Sequence, residues 1–136
     1  MSASVICLLG LIGWTIFLLF VLLGARGHAI FSGGHEPNVF DQQGADVGPF
    51  AQRITRAQAN SLEWLTIPAA LLIYGIATGH NEVTDGLAMV VLGTRMAQSV
   101  VHLVSIALPA ILVRATLFTV QVVIWIIWSL GFYGAV

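Results

Sequence analysis

The sequence predicts an all-α integral membrane protein, a single domain built as a bundle of four spanning helices. Three observations carry that prediction. Apolar residues make up 58% of the chain and charged residues only 8%, where soluble domains carry roughly 25% charge. Lysine is absent from all 136 positions. The chain also divides into four long apolar runs, each near the roughly 20 residues that a helix needs to cross the hydrocarbon. A surface this poor in charge would aggregate in water, so most of it faces lipid. The length fits one domain, and a net charge of -1 gives no support to nucleic-acid binding, which needs a basic patch.

The first run, "SVICLLGLIGWTIFLLFVLLGA", spans about residues 4–25 without a charge. A signal peptide would carry a basic leading region and a shorter apolar stretch, so a retained helix is expected. Cys7, the single cysteine, has no partner for an internal disulfide and reads as a small core residue. Gly10 and Gly13 permit close approach of a neighbouring helix. Residues 26–49 follow, rich in Gly, Pro and Asp, and read as a cytoplasmic loop. His28, His35 and Glu36 there match no zinc-ligand spacing, and no metal is expected. The second helix is predicted over about 50–78, with Pro68 bending it where the Trp64 carbonyl loses its donor. The third and fourth are predicted over about 85–108 and 110–133.

Orientation follows from the arginines. Arg26, Arg53 and Arg56 lie in or beside the first loop and Arg114 near the third, while the N-terminus and "GHNEVTDG" hold no basic residue. The excess of basic residues on cytoplasmic loops places loops one and three inside and both termini outside the cytoplasm. Trp125, Trp128 and Tyr133 then fall toward the outer end of helix four, where an aromatic belt is expected.

The polar residues inside the spans are ordered. In "RITRAQANSLEWL", residues 53–65, Arg53, Arg56, Asn60 and Glu63 fall within about an 80° arc of one helix. On helix three Arg95, Gln98 and His102 fall within about 60°. A charge at such depth costs roughly 2.5–3.5 kcal/mol unless it is paired or wetted. Helices two and three run antiparallel, and a rise of about 1.5 Å per residue sets Arg56 level with His102, Asn60 with Gln98, and Glu63 with Arg95. The expectation is an intramembrane Glu63–Arg95 ion pair beside a polar cavity ringed by Arg56, Asn60, Gln98 and His102. Such groups can serve only as hydrogen-bonded glue between helices. Arg53, Arg56 and Arg114, however, remain without nearby carboxylates, and surplus guanidinium groups at one end of a cleft point to an anionic ligand.

The same stretch resembles the signature of the MAPEG family, the membrane-associated proteins in eicosanoid and glutathione metabolism. Its pattern of an arginine, then Ala-x-x-Asn-x-x-Glu and an aromatic, is matched by Arg56, Ala57, Asn60, Glu63 and Trp64, with Arg53 as the preceding arginine. The likeness continues through Pro68, the helix around Arg95 and the arginine opening helix four. The resemblance is to a bacterial-type member and implies a homotrimer in the bacterial inner membrane, with glutathione as co-substrate bound between subunits near the cytoplasmic face. It implies that Arg56, Asn60 and Glu63 hold the peptide, supported by Arg53 and Arg26, and that Arg114 stabilises the thiolate. The polar stripes add Arg95 and Gln98 to the expected binding set and His102 as a donor to the peptide or a proton carrier. The implied activity is a glutathione-dependent transferase or peroxidase acting on hydrophobic electrophiles that arrive through the bilayer. Two departures bear on this. On helix three His102 stands where the best-known eicosanoid enzymes have a tyrosine, with Gln98 at a position commonly aromatic or histidine, and the interval from Arg95 to Arg114 is a few residues longer than in those enzymes. The alternative is a non-enzymatic membrane protein that uses the polar cleft for assembly or for sensing a small anion.

Overall fold

The computed structural model describes residues 1–34, 36, 40–42 and 44–135. Four helices occupy nearly all of them: α1 (Ala3–Gly33), α2 (Pro49–Thr78), α3 (Glu82–Val104) and α4 (Leu108–Ala135). Each is long and apolar enough to cross a membrane, and the chain is an integral membrane protein with an all-α four-helix bundle. His35 lies outside the described residues.

α1 is longer than its apolar run. Arg26, Gly27 and His28 mark where hydrophobicity ends, yet the helix continues until Gly34 adopts a left-handed conformation at φ 64° and closes it. An apolar run reports where the chain leaves lipid, whereas the helix stops only where a residue accepts positive φ. α2 starts at Pro49, whose missing N–H is harmless in a first turn, and runs through the buried Pro68 to a left-handed Gly79. The α3–α4 connection is brief: Ser105 turns extended, its Oγ accepts from Ala107 N, and α4 begins with Pro109 in its first turn.

α1 packs on α2 and α3, and α4 packs on α3 and the edge of α2; among the described residues the backbones of α1 and α4 do not come close. The main core gathers Cys7 and Leu11 from α1, Leu72 from α2, Ala88 and Val91 from α3, and Ile124, Trp125, Trp128 and Phe132 from α4. Trp125 and Trp128 are therefore core residues, at 4% and 0% exposure, and only Tyr133 of the expected aromatic belt is exposed. Gly10 is a true close approach: a Cβ there would meet Leu92 Cδ2 at 2.8 Å, whereas Gly13 has open space beside it.

At the far end from the α3–α4 connection, two helices are tied together by one carboxylate. Asp85 Oδ1 in the first turn of α3 accepts from Ser4 N at 2.8 Å and from Ser4 Oγ. Ser4 Oγ and Thr84 Oγ1 share a further bond at 2.7 Å, and both residues are fully buried. An N-terminal amide of α1, which has no partner within its own helix, is thus satisfied by its neighbour.

Candidate functional site

The helix α2 presents two faces. A buried ridge of Ile54, Ala57, Ser61, Pro68, Leu72 and Gly75 lies against the rest of the bundle. The polar stripe is centred roughly 110° round the helix from that ridge, at 100° per residue. Small residues on the ridge let α1 and α3 come close, and the stripe is left at the margin. Arg56 and Glu63 are consequently exposed, Arg53 and Asn60 half-buried.

This placement changes the partner of Arg95. The side chain is buried at 3% exposure, but Glu63 is not its partner, and among the described residues no ion pair joins them. Arg95 Nη1 instead donates to Asn60 Oδ1 at 3.4 Å and to Gln98 Oε1 at 3.2 Å. Its Nη2 donates to the backbone oxygens of Asn60 at 2.8 Å and Ser61 at 3.5 Å. The cation thus sits about one turn of α2 short of Glu63, among neutral acceptors. The expected Glu63–Arg95 pair is corrected by the face α2 turns inward, which leaves Glu63 exposed, and by the reach of Arg95 toward the level of Asn60.

A hollow of about 310 Å3 opens beside this network, lined by Asn60, Trp64, Gln98, His102, Ile111, Arg114, Ala115 and Phe118. On its wall Arg114 Nη1 donates to His102 Nδ1 at 2.7 Å. Arginine has donors only, so His102 meets it as a neutral imidazole with its proton on Nε2. The apolar side is built by Trp64 against Phe118, ring centroids 4.8 Å apart. Two larger hollows, of about 660 and 610 Å3, carry less chemistry. One lies between the end of α1 and the start of α2, the other between Tyr74 and Phe132 in the lipid-facing region of α2 and α4.

Asn60, Gln98, His102 and Arg114 are therefore brought together from three helices, with Arg95 behind them. The structure places the other candidates elsewhere. Arg53 Nε donates to the Leu103 carbonyl at 2.8 Å, serving the open C-terminal end of α3, where a cation complements the helix dipole. Arg26 lies 5.4 Å from the Phe40 ring centroid. Arg56 and Glu63 look outward.

Residues 4–133 match the sequence model of the MAPEG family. The chain belongs to that family. No curated protein and no solved structure matches it. MAPEG proteins include glutathione transferases and peroxidases, use glutathione and are generally trimeric.

In this MAPEG chain one polar residue of the site escapes motif reading. Gln121 on α4 is buried at 1% exposure, and its Nε2 donates to Gln98 Oε1 at 2.9 Å and to the Leu117 carbonyl at 3.0 Å. The signal that could have found it is its spacing: Gln121 follows Arg114 by two helical turns, and both lie on one face of a predominantly apolar helix.

Proposed function

We propose that the chain is a glutathione-dependent membrane transferase or peroxidase, acting on hydrophobic electrophiles with the glutathione thiolate as nucleophile. The observation that carries this reading is Arg114 on the wall of a hollow with one polar and one apolar side, held by His102 Nδ1 at 2.7 Å and facing the same space as Asn60 and Gln98. A thiol is mostly protonated near neutral pH, and an adjacent guanidinium favours the thiolate. His102 acts first as the acceptor that orients Arg114, while its Nε2–H remains free to donate to the peptide. Arg26, Arg53, Arg56, Glu63 and Arg95 supply the surrounding charge, Arg56 and Glu63 from a face that a second copy of the chain covers.

The assembly in this proposal is a homotrimer in the bacterial inner membrane, both termini outside the cytoplasm. Glutathione enters from the cytoplasmic side and the electrophile through lipid. The alternative, a non-enzymatic protein using the cleft for assembly or anion sensing, draws on Arg95, whose bonds to Asn60 and Ser61 join α2 to α3 in the way polar glue does. Two measurements on the purified protein in lipid nanodiscs separate the readings. Calorimetric glutathione binding together with conjugation of a generic electrophile or reduction of a lipid hydroperoxide is expected. Binding without turnover would favour the sensor, and absence of binding would overturn the reading.

A further inference from the structure

The hydrogen bonds around the 310 Å3 hollow share a direction. Arg95 can only donate, and its Nη1 claims Gln98 Oε1. Gln121 Nε2 takes the same oxygen, so both lone pairs of the Gln98 carbonyl are used. Reversing the Gln98 amide would set its NH2 against Arg95, donor against donor. Gln121 is oriented by the same constraint, and its own Oε1 is left buried without a partner. A buried oxygen without a hydrogen bond is costly, and the network tolerates it to keep the Gln98 amide in one orientation. Asn60 Oδ1 accepts from Arg95, and His102 Nδ1 accepts from Arg114. The groups left for the hollow are the NH2 of Gln98, the NH2 of Asn60 with one lone pair of its Oδ1, the His102 Nε2–H and the remaining N–H groups of Arg114. Donors dominate.

The geometry points to a donor-dominated binding site for an anionic or acceptor-rich head group, its polarity imposed by Arg95 and Gln121 acting through Gln98. Gln98 is the specificity-determining residue, and Gln121 and Arg95 are positioning residues. A site whose polar groups are mostly donors disfavours an ammonium head, because its N–H groups would lose their partners. Such a site also stabilises negative charge that develops during a reaction, since its dipoles are already aimed. It offers no general base: His102 Nδ1 is committed to Arg114, so a proton leaving a thiol passes to water. The head group has two possible sources, the sulfur of the thiol peptide or a developing oxyanion on the hydrophobic substrate. The inference concerns the site of the proposed function but does not depend on glutathione.

The test uses the intact protein in nanodiscs of uncharged lipid. Decanoate and decylammonium, matched in length and opposite in sign, are titrated calorimetrically. At least tenfold tighter binding of decanoate is expected, and equal binding or a preference for the cation would overturn the inference. Gln98→Glu then exchanges a donor for an acceptor while setting a carboxylate beside Arg95, so thermal stability should hold or rise as the preference for decanoate falls at least tenfold. A merely structural Gln98 would show the reverse pattern, with stability lost and preference kept. The same variant is titrated with glutathione carrying a sulfonate in place of its thiol, and with S-methylglutathione. If the advantage of the sulfonate disappears in Gln98→Glu, the peptide's sulfur occupies the site; if only the decanoate preference changes, the head of the second substrate does. Decanoate preference without any peptide binding would overturn the proposed function and leave this inference standing.

Discussion

Arg95 and Arg114 face one another's helices and differ in what their charge meets. Arg95 is sealed behind Asn60, Ser61 and Gln98, so its donors are spent on holding α2 to α3 and on fixing an amide. Arg114 is half-buried and gives one N–H to His102, with the rest of its guanidinium toward the hollow. Replacing Arg114 with Ala is accordingly expected to abolish turnover while glutathione still binds through the remaining groups. Replacing Arg56 with Ala should instead weaken binding by about 1.5–3 kcal/mol, the contribution of a hydrogen bond to a charged group. Stopped-flow turnover and calorimetry on both variants check the division. Equal loss of binding in both would assign Arg114 to recognition and not to activation. At this scale the sequence was readable wherever a residue type has one job. An arginine inside a span demands partners, and of the expected ring around the cavity Asn60, Gln98 and His102 line the hollow, whereas Arg56 faces outward. The identity of each partner was not readable, because four residues of an amphipathic stripe present nearly the same angle and the choice between Asn60 and Glu63 depends on helix rotation.

The helices are where close packing overrides polar patterning. Ala57, Ser61 and Gly75 form part of the buried ridge of α2, and their size, not the direction of the charged stripe, sets which side faces the bundle. Spans are legible because hydrocarbon requires about 20 apolar residues in a row. Rotation and exact ends are not, since they follow from small residues, left-handed glycines and single capping bonds. Asp85 is one such bond: its carboxylate serves the N-terminal amide and hydroxyl of Ser4 on another helix, a link no periodicity announces. Asp85→Ala leaves both donors short of their acceptor and is expected to cost about 1–3 kcal/mol. Asp85→Asn keeps an acceptor oxygen and gives up only the favourable charge at a helix N-terminus, about 0.3–1 kcal/mol. Thermal unfolding in a mild detergent orders the two variants. If Asn were as damaging as Ala, charge and not the shared acceptor would hold α1 to α3.

The whole molecule leaves one face unexplained by a single copy. Arg56, Ala59, Glu63, Thr66, Ile67 and Ala70 are spaced along one side of α2, and all six are exposed. Each charge left facing hydrocarbon costs roughly 2.5–3.5 kcal/mol, so an isolated subunit would carry that cost twice, while Ala59 and Ala70 offer the small side chains that let helices close up. A second and third copy presenting the same face around an axis would bury both charges among polar neighbours, which is why the proposed trimer has α2 as its inner ring. The remaining exposed apolar residues, such as Phe20 at 68% and Leu130 at 65%, need no protein partner because lipid satisfies them. A cysteine placed at Ala59 should therefore cross-link between copies under mild oxidation, whereas one placed at Ile126 on α4 should stay reduced, Cys7 being buried in the core and silent in both. Native mass spectrometry of the uncross-linked protein in mild detergent should show three copies. Only monomers and dimers would remove the trimer. Cross-linking at Ile126 but not at Ala59 would move the axis from α2 to α4 and leave Arg56 and Glu63 to be neutralised by lipid or ligand instead.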